Sequence, residues 1–120
     1  MKYSELTLHY FETAPGAGVL TGRDVYRGAA GSRAQGTWVQ FDVQVGGGII
    51  EAARFLAFGC PHTIAVSAWV AEHAGGPARA ALPEGVQDLS ERFAVPMEKR
   101  GRLLIIEDAW IAAMNAALQR

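Results

Sequence analysis

The 120 residues suit one domain with a core of its own, spanning residues 1–120. Half of them are hydrophobic and the formal net charge is only -1, with no run of Lys and Arg, so nucleic acid is not an expected partner. No apolar run reaches membrane-spanning length, the opening "MKYSELTLHY" lacks the uninterrupted apolar stretch of a secretory signal, and one cysteine cannot close an internal disulfide; a cytoplasmic protein is expected.

In chain order, Tyr3 to Glu12 reads as a short helix, capped by Ser4 and with the Glu5 carboxylate in its first turn. Pro15, Gly16 and Gly18 break it. Gly16, Gly18 and Gly22 have the wrong spacing for a dinucleotide fingerprint and follow a helix rather than a strand, so they read as a turn. Val19 to Tyr26 is expected as a first strand and "RGAAGSRAQG" as a small-residue loop. In "WVQFDVQV", Val39, Phe41, Val43 and Val45 alternate with Gln40, Asp42 and Gln44, the period of a half-buried strand. Gly46, Gly47 and Gly48 make a tight connection to a partner strand, Ile49 to Phe58.

Beyond Cys60 the period changes. Ile64, Ala65, Ala68, Trp69 and Ala71 recur at helical spacing up to Gly75 and Gly76, which read as a C-terminal cap. Pro83 and Pro96 divide the next stretch into short helical pieces. The longest helix is expected from Gly101 to Gln119, burying a stripe of Leu103, Ile106, Trp110, Ala113 and Ala117. Strands followed by helices imply an α+β fold, a small antiparallel three-stranded sheet with helices packed on one face.

The single cysteine sits at the strand-to-helix junction. Pro61 suits the first helical position, where its missing N–H costs nothing, and this makes Cys60 the N-cap residue. The helix dipole and free N–H groups there favour thiolate over thiol. A reactive thiol and a small buried hydrophobe are both compatible with this placement. His62 could add charge or a hydrogen bond, or be a solvated residue near a helix start; His9 and His73 read as surface residues. Neither a Ser-His-Asp order nor a His-Glu-x-x-His spacing is present.

Three stretches carry a resemblance: "YSELTLHYFETAPGAG", "GGIIEAARFLAFGC" and "IIEDAWIAAMNAAL". In order and spacing they are similar to the iron–sulfur cluster assembly scaffold family, the IscU-like proteins and the N-terminal domains of NifU. The resemblance covers nearly the whole chain. It implies a scaffold that takes sulfur from a cysteine desulfurase, assembles a [2Fe–2S] cluster on three cysteines plus an aspartate or histidine, and passes it on.

The chain departs from that pattern at the ligands. The family's Ala-Cys-Gly-Asp loop matches Ala34 to Thr37, so Gln35 stands for a cysteine and Thr37 for the aspartate. Cys60 is kept. Counting from Pro96 to Glu107 and Asp108 preserves the family's length and puts Gly101 at its histidine and Arg102 at its third cysteine. Its chaperone-binding Leu-Pro-Pro-Val-Lys survives only as Val95 to Lys99. One thiolate, even with His62, does not supply the four ligands of a [2Fe–2S] unit, and Arg102 repels a metal while favouring an anion such as a persulfide or a carboxylate.

Three readings follow. One is an accessory or regulatory iron–sulfur assembly protein with a degenerate site, or one that pools two Cys60 thiolates in a homodimer. Another is a persulfide carrier or thiol enzyme using Cys60 alone. The third is a protein-binding module without metal on the scaffold fold.

Overall fold

A computed structural model describes residues 2–119. Helix α1 (Glu5–Thr13) leads into strands β1 (Val25–Ser32), β2 (Thr37–Gly46) and β3 (Ile49–Phe58). Helix α2 (Pro61–Glu72), the two-residue strand β4 (Gly76–Pro77), helix α3 (Val86–Arg92), a 3-10 turn (Met97–Lys99) and helix α4 (Gly101–Leu118) follow. The sheet is antiparallel in the order β1-β2-β3-β4.

The α+β class holds, with four strands in place of the expected three. The extra strand is short because it pairs only with the start of β3, Ile49 with Pro77 and Ile50 with Gly76. Gly76 therefore serves β4, and α2 ends earlier, at the cap residue His73.

The first strand also lies later than expected, at Val25–Ser32, so the small-residue "loop" is mostly strand. Its small residues are there for packing. A Cβ on Gly28 would lie 2.1 Å from the Ala113 backbone nitrogen, and one on Gly31 would lie 2.2 Å from the Thr37 carbonyl oxygen and 3.0 Å from Ile105 Cγ2 of α4. Only a strand without side chains at these points lets α4 lie directly on the sheet. The residues expected as that strand instead lead into it. Residues 16–18 run along β3, where the Gly18 N–H donates to the Phe55 carbonyl and the Phe55 N–H to that of Gly16.

The hairpin of β2 and β3 follows the period-two pattern. Val39, Phe41 and Val43 are fully buried against the helices, and Phe41 meets Trp110 edge-on with ring centroids 5.2 Å apart. The whole expected α4 stripe is buried. Each fully buried aliphatic or aromatic side chain contributes about 1.5–3 kcal/mol. Asp42 breaks the pattern, because it is buried on the polar face. The preceding segment covers it: Leu20 N–H donates to Asp42 Oδ2 at 2.9 Å, and Arg27 forks onto both carboxylate oxygens at 2.7 and 2.9 Å.

Helix α2 is buried on nearly every side, wedged between α1, β3 and α4. Helix α1 runs alongside it. Ser4 caps α1 by accepting from the Thr7 N–H at 3.1 Å, and Thr7 reaches across to donate to the Phe93 carbonyl at 3.0 Å. At the other end the Tyr10 hydroxyl donates to Glu72. Burial and the neighbouring carboxylate push that phenol up to about 12. Among the described residues, no helix is long and apolar enough to cross a membrane.

Candidate functional site

Cys60 is the N-cap residue of α2, with extended backbone (φ -76°, ψ 169°) and Pro61 in the first helical turn. Gly59 allows β3 to turn straight into the helix, since a Cβ there would come within 3.0–3.3 Å of the Thr63 side chain. The thiol is half-buried and free, with Sγ 3.7 Å from Thr63 Oγ1.

Two tendencies compete at that sulfur. Burial is the largest single influence and opposes ionisation. The Thr63 amide and hydroxyl, the His62 amide and the Arg102 charge together outweigh it, so the pKa lies below that of an ordinary thiol. Thr63 was not singled out by sequence reasoning. Its signal is position: the third residue of a helix is where a side chain can reach back to the N-cap.

His62 is buried at 1% exposure, against the expectation of a solvated residue. Its ring meets the edge of Tyr3 at 4.8 Å, and its Nδ1 has no hydrogen-bond partner among the described residues. Burial first, then the charges of Lys99 and Arg102, hold its pKa below the usual histidine range. The imidazole is therefore neutral at pH 7. Of the two other histidines, His9 is exposed, whereas His73, exposed at its rim, stacks flat on Trp69 with centroids 4.1 Å apart.

Arg102, in the first turn of α4, acts on both Cys60 and His62. Gly101 precedes it, exposed and without a side chain. Thr37 is buried at the start of β2. Gln35 lies exposed in the β1–β2 turn, its backbone N–H donating to Ser32 Oγ at 3.1 Å. The Arg33 guanidinium lies 5.0 Å from the Phe58 ring centroid, which sets that turn against the end of β3 just before Cys60. The turn, the end of β3 and the starts of α2 and α4 thus share one end of the molecule. No hydrogen bond joins Gln35 or Thr37 to Cys60 among the described residues.

The fold and the sequence have counterparts among known proteins. The sequence profile of the family described as NifU-like N terminal domain matches residues 2–116. The chain belongs to that family. The iron-sulfur cluster assembly scaffold protein IscU of Escherichia coli K12 is 32% identical over 121 residues, 95% of this chain and 92% of its own. The protein of the same name from Haemophilus influenzae is 32% identical over 119 residues, 95% of this chain and 94% of its own. The crystal structure of a NifU-like N-terminal protein from Brucella abortus superposes with a TM-score of 0.77, covering 98% of this chain and 94% of that one at 18% identity.

The donor set of this NifU-like domain is small. Among its described residues, no three His, Cys, Asp or Glu side chains come together to hold a metal ion. Cys60 is the only thiol in the sequence, and the imidazole of His62 near it is buried and acted on by two cations. These residues do not fit a [2Fe–2S] unit, which takes four protein ligands. They fit a single thiolate with a positive neighbour.

Proposed function

We propose that this protein serves iron–sulfur cluster assembly as an accessory member of its family, carrying sulfur on Cys60 instead of building a cluster on one subunit. The family membership supplies the context. The observation that carries the reading is the pairing of a thiol depressed in pKa at a helix N-terminus with the Arg102 cation, which the resemblance aligns with the family's third cysteine.

The step balances without an added oxidant. The Cys60 thiolate attacks the terminal sulfur of a donor protein's cysteine persulfide, such as that of a cysteine desulfurase. The donor's S–S bond breaks, a new one forms on Cys60, and the donor leaves as a thiolate. The donor persulfide enters protonated and its proton travels with the transferred sulfur, so the charge leaves with the donor thiolate. The Cys60 persulfide then releases that proton to solvent, and Arg102 offsets the anion on this chain before the transfer and after that release. Neutral His62 neither competes for the sulfur nor repels the donor's approach.

The test combines two measurements. After incubation with a cysteine desulfurase and cysteine, intact mass and peptide mapping should show one added sulfur on the Cys60 peptide, absent from Cys60→Ser. Anaerobic iron and sulfide should leave the monomer colourless. A tightly held, stoichiometric iron chromophore in the monomer, surviving Cys60→Ser, would overturn the reading. A chromophore found only in a dimer, at one cluster per two chains, would replace it with the pooled-thiolate arrangement.

A further inference from the structure

Helix α2 has a second end, and the assembly chemistry does not use it. Twelve residues of helix, about 18 Å, separate Cys60 from the cap residue His73. There the start of β3, the 73–83 segment with β4, and α4 border a half-open cavity of about 280 Å³. Its floor is the apolar trio Ile50, Ala74 and Trp110, all buried, with Pro83 as a wall. The Trp110 ring is held in place because its Nε1–H donates to the Ala81 carbonyl at 2.8 Å. Two basic groups complete the lining, His73 and Arg79.

Of these two basic groups, Arg79 is the one without an acidic neighbour among the described residues. Glu84 is engaged by Arg92 in a forked pair at 2.7 and 2.9 Å. Glu72 accepts from Tyr10 and lies 3.8 Å from His73 Nδ1, on the side away from the ring's free nitrogen. Among the described residues, Arg79 has no hydrogen bond or ion pair. His73 Nδ1 lies 2.8 Å from the Trp69 carbonyl. A carbonyl only accepts, so Nδ1 carries a proton and Nε2 is the nitrogen left for a ligand.

We propose that this cavity binds a small flat carboxylate, with the Arg79 guanidinium taking the carboxylate and the Trp110 floor taking the apolar body. The planar fork of arginine matches a carboxylate's two oxygens. The volume lies at the lower end for small-molecule sites and suits a ligand the size of a substituted benzoate. His73 Nε2 accepts from a ligand hydroxyl or, when protonated, gives the carboxylate a second donor. Nothing in this assignment depends on Cys60.

The experiment is a titration of the isotope-labelled full chain with benzoate, and separately with neutral benzamide, followed by NMR. Saturable shifts are expected at the Trp110 indole N–H and the Gly75 and Arg79 amides, with Cys60 and Thr63 unmoved. Benzamide should bind at least about tenfold more weakly, and Arg79→Gln should weaken benzoate by about the same factor. Exposed Arg79 has no partner to lose, so the variant keeps the parent's fold and thermal midpoint. Cys60→Ser should leave benzoate binding unchanged. Absence of saturable shifts with benzoate, equal binding of benzamide, or indifference to Arg79→Gln would each overturn the proposal.

Discussion

Two ionisable groups are buried in this molecule on opposite terms. Asp42, 1% exposed on the sheet, has every demand met: two bonds from Arg27 and one from the Leu20 N–H. His62, equally buried at the start of α2, has an Nδ1 unpartnered among the described residues and two cations acting on it. A satisfied buried charge fastens chain to chain, here the 14–24 segment to the sheet. An unsatisfied polar group next to a depressed thiol does no fastening, and this asymmetry sets the sheet face at Asp42 apart from the candidate site at Cys60.

The comparison is broken most severely at Asp42. Asp42→Ala strands the Leu20 N–H and the inner face of Arg27. It should cost about 2 kcal/mol in urea unfolding, less than a fully buried pair because Arg27 is 54% exposed. The pH dependence has a definite sign. Burial raises the Asp42 pKa, but Arg27 and the Leu20 amide lower it more, so it ends below the usual carboxylate value. Its contribution is present above an unfolded pKa of about 3.9 and is lost as pH falls through the folded value. The wild type should therefore lose stability in acid more steeply than Asp42→Ala.

The opposite result is expected at His62. His62→Phe keeps a ring against Tyr3 and removes the unpartnered nitrogen, so the change should be neutral or stabilising, by up to about 1 kcal/mol at neutral pH. The folded pKa is depressed. The wild type therefore loses stability as pH falls from about 6.5 through that folded value, because only the unfolded chain takes up the proton readily. His62→Phe should abolish that loss. A clear destabilisation at neutral pH would mean that His62 fastens after all and that the contrast with Asp42 fails.

The smallest effect sharpens the contrast at the thiol. Alkylation of Cys60 by iodoacetamide should titrate below the free-cysteine midpoint of about 8.5. Arg102→Ala should raise that midpoint and slow alkylation at neutral pH roughly threefold, the size expected of one partly exposed charge. Thermal stability should barely change, in contrast to the loss of Asp42.

Much of this was readable along the chain. Alternating valines and glutamines announce the hairpin, the stripe from Leu103 to Ala117 announces α4, and Gly59-Cys60-Pro61 announces a helix start with a thiol on it. The resemblance to the scaffold family rested on the N-terminal stretch, the run into Cys60 and the last helix, and identified the fold and the family. The first strand was not readable, because Gly28 and Gly31 are small to admit α4, and composition cannot distinguish room for a helix from a flexible turn. Strand β4 is two residues long and has no period of its own to detect.

Local pattern determined which segments are helix or strand, and which face of each is apolar, because φ and ψ preferences and the two side-chain periods act between near neighbours. Tertiary structure alone decided that Asp42 would be covered and that His62 would be buried with its Nδ1 unpartnered among the described residues; that Arg102 acts on Cys60 across forty-two positions of chain was implied by the resemblance and not by local pattern. Burial and charge at a point depend on everything within a few ångströms, and those neighbours come from segments that the sequence holds far apart.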